Sequence, residues 1–306
     1  MTTPKTLRGI PVRSAFFGDM GKVAALVKGL TDAAPELDWP DLVRIAEEVG
    51  ADLAKTEALV DRATASPAVQ DWASSLQLDR FKPDHILVQS IDAWGPRIGF
   101  TKVDLTVTDS TGLKLPGVSL LRGGSVVIIV ALECEGRLYA AITVQPRVPT
   151  GSFAFEEVSA GMVDGADDFA GAAAKELEQE LGIKINKRDL IDLGARAGIL
   201  GGIFTSPGLL DEKLTVYAYT KSITRAEKDE LDGRITGELA EGETITVKVV
   251  PFEYLARMND AKSLIAYFLY RVVVLGDIDV SGPVLARSAK KGLIARFFGF
   301  LARAWH

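Results

Sequence analysis

Histidine is nearly missing from this chain: its 306 residues include only two, His85 and His306. That removes the usual ligands of a zinc site and makes Ser-His-Asp chemistry a poor fit. Any catalysis would fall to carboxylates. Cysteine is scarcer still. Cys134 stands alone, so the chain can form no internal disulfide framework, and a reducing compartment is expected. Beside an apolar run, that cysteine reads as a small packed hydrophobe. No apolar stretch is long enough to cross a bilayer. The longest, Val126–Leu132, reads as a buried strand. An excess of positive charge is also absent, and a net charge of −6 weighs against nucleic acid as a partner. The N-terminus is basic, holds no acid before Asp19 and has no secretory apolar core. The expected location is the cytoplasm or an organelle such as a plastid or mitochondrion, not the secretory route.

What remains is a 47% hydrophobic, 25% charged chain able to bury a sizeable core. It divides into four pieces. Residues 1–76 are expected to form a helical extension, since KVAALVKGL and DLVRIAEEVGADLAKTEALVDRA space apolar residues by three and four. Residues 77–122 change period. ILVQSI and RIGFTKVDLTV alternate, and DSTG and LPG mark turns, which predicts a small antiparallel β region.

Residues 123–275 are the densest piece. SVVIIVALE and RLYAAITVQ flank CEG as a hairpin, followed by FAFEEV, a glycine-bearing loop and a helix over 167–181. DLIDLGARA and KLTVYAYT read as strands. After a polar loop come ETITVKVVPF and a last helix over 260–274, with Asn259 as its cap. Mixed strands with two helices predict an α/β sandwich, with helices on both faces of a mixed sheet. Residues 276–306 form a tail. From Ser281 it holds Arg287, Lys290, Lys291, Arg296 and Arg303 and no acid. Leu293, Ile294, Phe297, Phe298, Leu301 and Trp305 share one arc of a helical wheel. This basic amphipathic helix suits an anionic membrane surface, a groove on a protein partner, or packing on its own domain or dimer mate.

The chemistry concentrates in AKELEQELGI. Spacing of three and four places Glu176, Gln179 and Glu180 on one helix face. Gly182 ends that helix as a C-cap glycine. Such a face fits two readings. It is either a solvated polar surface or a site for a hard cation, and Mg²⁺ prefers oxygen ligands shared with substrate phosphates.

Read from Gly161, the stretch GMVDGADDFAGAAAKELEQELGI resembles the Nudix box: Gly, five residues, Glu, seven residues, then Arg-Glu-aliphatic-any-Glu-Glu-any-Gly-aliphatic. Gly161, Glu176, Leu177, Glu180, Gly182 and Ile183 match in register. Asp167, Lys175 and Gln179 depart, standing where the pattern has Glu, Arg and Glu. Lys175 keeps charge but loses the guanidinium fork. Gln179 removes one negative charge from a metal-binding position. Segments VQSIDAWGPRIGF, LRGGSVVIIVALE, QPRVPTG, FTSPGLLDE and EGETITVKVVPF extend the resemblance to plant-type ADP-sugar diphosphatases, over about two-thirds of the chain.

That resemblance implies a Nudix α/β/α sandwich. It also implies hydrolysis of the pyrophosphate bond of a nucleoside diphosphate sugar, ADP-ribose or ADP-glucose, to AMP and a sugar phosphate. Mg²⁺ or Mn²⁺ would be held by Glu176, Gln179, Glu180 and the carbonyl of Ala160. Glu243, with Glu241 as its neighbour, matches the general base on a loop after the box. Glu157 matches an acidic position before the box. Arg97 and Arg147 are candidates for phosphate or sugar contacts, and Trp94 for stacking on adenine. Ser206–Gly208 with Asp211 and Glu212 resembles a substrate-side loop. A homodimer is implied as well. Gln179, Val144 and Pro146 leave a second reading open: a catalytically degenerate domain serving as a binding or assembly subunit.

Overall fold

The computed structural model describes residues 6–14, 58–80, 82–163, 169–237 and 244–278. The expected helices between 17 and 57, Asp167, Glu241, Glu243 and the basic tail from 279 lie outside these described residues.

Two sheets carry the described residues. The smaller is built from β1 (Thr6–Leu7), β2 (Ile10–Ser14), β3 (Lys82–Trp94), β4 (Arg97–Thr108), β5 (Lys114–Leu115) and β6 (Val118–Leu121), with α1 (Pro67–Ser75) packed against it. Alternation along β4 buries Thr101, Val103, Leu105 and Val107 in turn, as a one-sided strand should. The pairs are antiparallel except one. β2 runs parallel to β3, so residues 10–14 belong to this sheet and not to a helical extension.

The larger sheet has the order β11-β13-β7-β8-β15-β14. Its strands are β7 (Ser125–Cys134), β8 (Arg137–Arg147), β9 (Ser152–Glu157), β10 (Ser159–Met162), β11 (Ile191–Asp192), β12 (Ile203–Phe204), β13 (Lys213–Ser222), β14 (Ile235–Thr236) and β15 (Ile245–Pro251). The run Val126–Leu132 is fully covered in β7, the expected signature of a strand buried on both faces. A parallel β13–β7 pair within an otherwise antiparallel sheet makes it mixed. The β7–β8 turn places Glu135 and Gly136 at positive φ, as a two-residue hairpin loop requires.

Helix α2 (Phe169–Leu181) lays Ala173, Leu177 and Leu181 against Val126, Ile128 and Val130 on one face. On the other face, α5 (Ala261–Tyr270) buries Ala266, Leu269 and Tyr270 against Val127, Ile129 and Val216. The alternate residues of β7 thus serve two cores, which is the three-layer sandwich that the pattern predicts.

Three local readings change. DLIDLGARA is not one strand: after β11 it turns into the short helix α3 (Leu193–Arg196), because the Asp192 carboxylate accepts the amide of Ala195. The polar loop after β13 contains α4 (Arg225–Leu231), started by a full capping box between Thr224 and Glu227. The last helix is capped by Asp260, not Asn259, since the Asp260 carboxylate accepts the amides of Lys262 and Ser263.

Candidate functional site

The site lies where the chain changes neighbours within the large sheet. Glu157, the last residue of β9, pairs with Thr143 of β8. Two residues on, Ser159 begins β10 and pairs with Ile128 of β7. Val158 makes the switch. Its amide leaves the ladder and donates to the Ser263 hydroxyl, which in turn donates to the capping carboxylate of Asp260. The first turn of α5 therefore grips the crossover.

Helix α2 crosses above this switch. Its Glu180 is buried, with 6% of its surface exposed. One carboxylate oxygen accepts the Ala160 amide at 3.1 Å, and the other accepts the Gln145 side-chain amide at a long 3.5 Å. Among the described residues no cation pairs with it. Burial pushes the Glu180 acid up to about 7, and the charges of Glu176 and Glu157 add to the push. The nearby Ser159 hydroxyl and the Ala160 amide pull the other way, although the hydroxyl falls short of full hydrogen-bond geometry.

Glu176 lies one turn earlier and presses against β10. A Cβ on Gly161 would sit 1.9 Å from its carboxylate oxygen, so any larger residue there would push the Glu176 side chain aside. That explains the first glycine of the box physically. Gln179 is half-buried on the same helix. At the helix end, the Gly237 amide donates to the Gln179 carbonyl at 3.2 Å, and the Thr236 hydroxyl donates to the Glu180 carbonyl.

Glu157 is buried even more deeply, with 2% exposed, yet it is fully paired. Arg147 Nε donates to one oxygen at 2.6 Å and Lys262 Nζ to the other at 2.6 Å. Arg147 ends β8, just past Pro146, where the ladder with β9 is irregular. A proline has no N–H to give there. Arg97 reaches from the small sheet to the Met162 sulfur, at the end of β10, 3.7 Å away. Trp94 is half-exposed under the Arg97 guanidinium and edge-on to Phe100. The described candidates Glu157, Ala160, Glu176, Gln179, Glu180, Arg147 and Arg97 therefore converge on the β9–β10 switch or its border, with Trp94 outermost.

The Ser206–Gly208 loop does not join them. Pro207, Gly208 and Asp211 line a separate cleft of about 790 Å³ between α1 and the segment around β12, and neither Glu176 nor Glu180 borders it. Asp211 accepts the amides of Arg122 and Gly123, and Glu212 is buried on Ser125 and Arg122. Both acids hold the loop to the start of β7.

Residues 122–269 match the family model of the NUDIX domain. This segment is similar to NUDIX domains. Over 192 residues the chain is 40% identical to Nudix hydrolase 14, chloroplastic, of Arabidopsis thaliana, covering 61% of this chain and 62% of that protein. The chain thus spans a little under two-thirds of that relative. A solved structure, an ADP compounds hydrolase, aligns at TM-score 0.47 and 17% identity, over 66% of this chain and 98% of its own. No helix among the described residues is long and apolar enough to cross a membrane.

Does the site fit a divalent cation? A buried carboxylate with no cationic partner, beside two further carboxylates, is a costly arrangement that a bound cation relieves. The donors are hard oxygens, which suits Mg²⁺ or Mn²⁺. Among the described residues no three acidic, His or Cys side chains form a ready cage. The residues fit an ion that takes its remaining ligands from amide or carbonyl oxygens, water and substrate.

Three contributors were missed in the sequence. Gln145 carried a signal, as a polar residue inside an apolar strand. Ser263 and Lys262 carried none, because only the packing of α5 brings them to the switch.

Proposed function

We propose that this chain hydrolyses the pyrophosphate bond of a nucleoside diphosphate sugar, ADP-ribose or ADP-glucose, releasing AMP and a sugar phosphate. The observation that carries this reading is Glu180, buried next to Glu176 on the box helix with no counter-cation among the described residues. A divalent metal bound there would neutralise the diphosphate and activate water. Glu176 and Glu180 are its ligands, with oxygens of Gln179 and Ala160 completing the protein's share. Arg147 and Arg97 bind the phosphates, and the exposed face of Trp94 receives the adenine. Glu243 takes the proton from the attacking water as one P–O bond forms and the bridging one breaks. Glu157 holds Arg147 in place. The chain acts as a homodimer and works in an organelle, in keeping with its chloroplastic relative.

Incubation of ADP-ribose, ADP-glucose and UDP-glucose with Mg²⁺ or Mn²⁺ tests the reading. Nucleoside monophosphate should appear from an ADP-sugar. No product from any of the three, with no metal bound, would overturn it.

A second reading has its own observation: Gln179, and no three-carboxylate cage among the described residues. On it, the domain is an inactive binding subunit. Gln179→Glu decides between the two. A large gain from an inert parent supports the degenerate subunit, whereas an active parent supports the enzyme.

A further inference from the structure

Lys262 is placed by the fold rather than by the box. It sits in the first turn of α5, behind the Asp260 cap, and spans to Glu157, 105 residues earlier in the chain. Its charge is directed inward, with only 21% of the side chain exposed. Glu157 therefore receives one cation on each oxygen. This division matters for Arg147. A lone carboxylate facing a guanidinium can take two of its nitrogens side by side. With Lys262 holding one oxygen, Glu157 meets Arg147 through Nε alone. The two terminal nitrogens of Arg147 make no ion pair or hydrogen bond among the described residues, and the side chain is 38% exposed. Two cations on one carboxylate also leave the trio one net positive charge.

We propose that Lys262 is a positioning residue for the substrate's diphosphate. Through Glu157 it sets the Arg147 fork open to a phosphate oxygen and keeps the trio cationic. The inference rests on the nucleotide-sugar reading above and adds a residue outside the box to it.

The test uses the full-length protein in four forms: wild type, Lys262→Met, Arg147→Ala and the double variant. Hydrolysis of ADP-ribose gives kcat and KM, and calorimetry gives affinity for α,β-methylene-ADP. Lys262→Met should raise KM about 10-fold, leave kcat within about threefold, and weaken the analogue about 10-fold, with Lys262→Arg restoring most of the loss. The double variant should behave as Arg147→Ala alone, because Lys262 acts through Arg147. Unchanged KM in Lys262→Met, a loss confined to kcat, or multiplying losses in the double variant would overturn the proposal. If Lys262→Met does not fold, Lys262→Gln takes its place under the same criteria. The two readings fail separately. A wild type that binds the analogue through Lys262 but cleaves no nucleotide sugar overturns the activity alone. An active wild type with inert Lys262 variants overturns the positioning role alone.

Discussion

Glu157 and Glu180 sit on neighbouring elements, and both are buried, yet their surroundings are opposites. Glu157 has a full cation on each oxygen. Glu180 has two neutral amides, and its acid is pushed up by burial and by like charges. The first carboxylate is electrostatically complete within the protein. The second is completed by a proton or by a cation from outside. A buried charge is tolerated when it is paired, so the contrast separates an acid that the fold itself completes from the one proposed to hold a metal.

The contrast can be broken from either side. The largest effect should come from Glu180→Gln, which removes the proposed metal ligand while keeping its shape. ADP-sugar hydrolysis should fall about 10³-fold, with Mg²⁺ affinity falling in calorimetry. In metal-free protein the same change should not lower stability. Glu157→Gln should do the reverse to the fold. It strands Arg147 beside Lys262, and urea unfolding should show a loss of about 2 kcal/mol. That lies below the value for a fully buried pair because both cations are partly exposed.

A smaller effect tests the titration. The Glu180 acid is raised in the folded state, so the proton it holds stabilises the metal-free fold. That stabilisation is fully present below the ordinary carboxylate range and is lost as pH rises through about 7. Metal-free wild type should lose about 3 kcal/mol from this group between pH 4 and 8. Urea midpoints of Glu180→Gln should lack that part of the slope. The smallest expected change is Gly161→Ala. Its Cβ would displace the Glu176 carboxylate, and Mg²⁺ affinity should weaken about 10-fold while Glu157 and its two cations stay as they are. Unaltered affinity would show that the close packing of Glu176 on Gly161 does not set metal binding.

Much of the site was legible in the residues. The spacing from Gly161 to Ile183 identified the helix and its carboxylates, and apolar periodicity located most of the strands that frame it. The misread elements share a cause. Asp192, Thr224 and Asp260 each divert the local backbone by accepting amides a few residues ahead, and such capping competes with periodicity over short stretches. Thr224 with Glu227 was readable as a capping box. The partners of Glu157 were not. Arg147 precedes it by 10 residues and Lys262 follows it by 105, and no local pattern links the three.

The sequence by itself determined the layer order, because alternate faces of Val126–Leu132 demand two helical covers, and it determined which helix bears the carboxylates. Tertiary structure alone decided what each acid became. Glu157 and Glu180 are the same residue type, each buried. Their difference lies in which distant side chains the folded chain brings within 3 Å of their oxygens. Coulomb energy inside a protein depends on that distance far more than on residue identity.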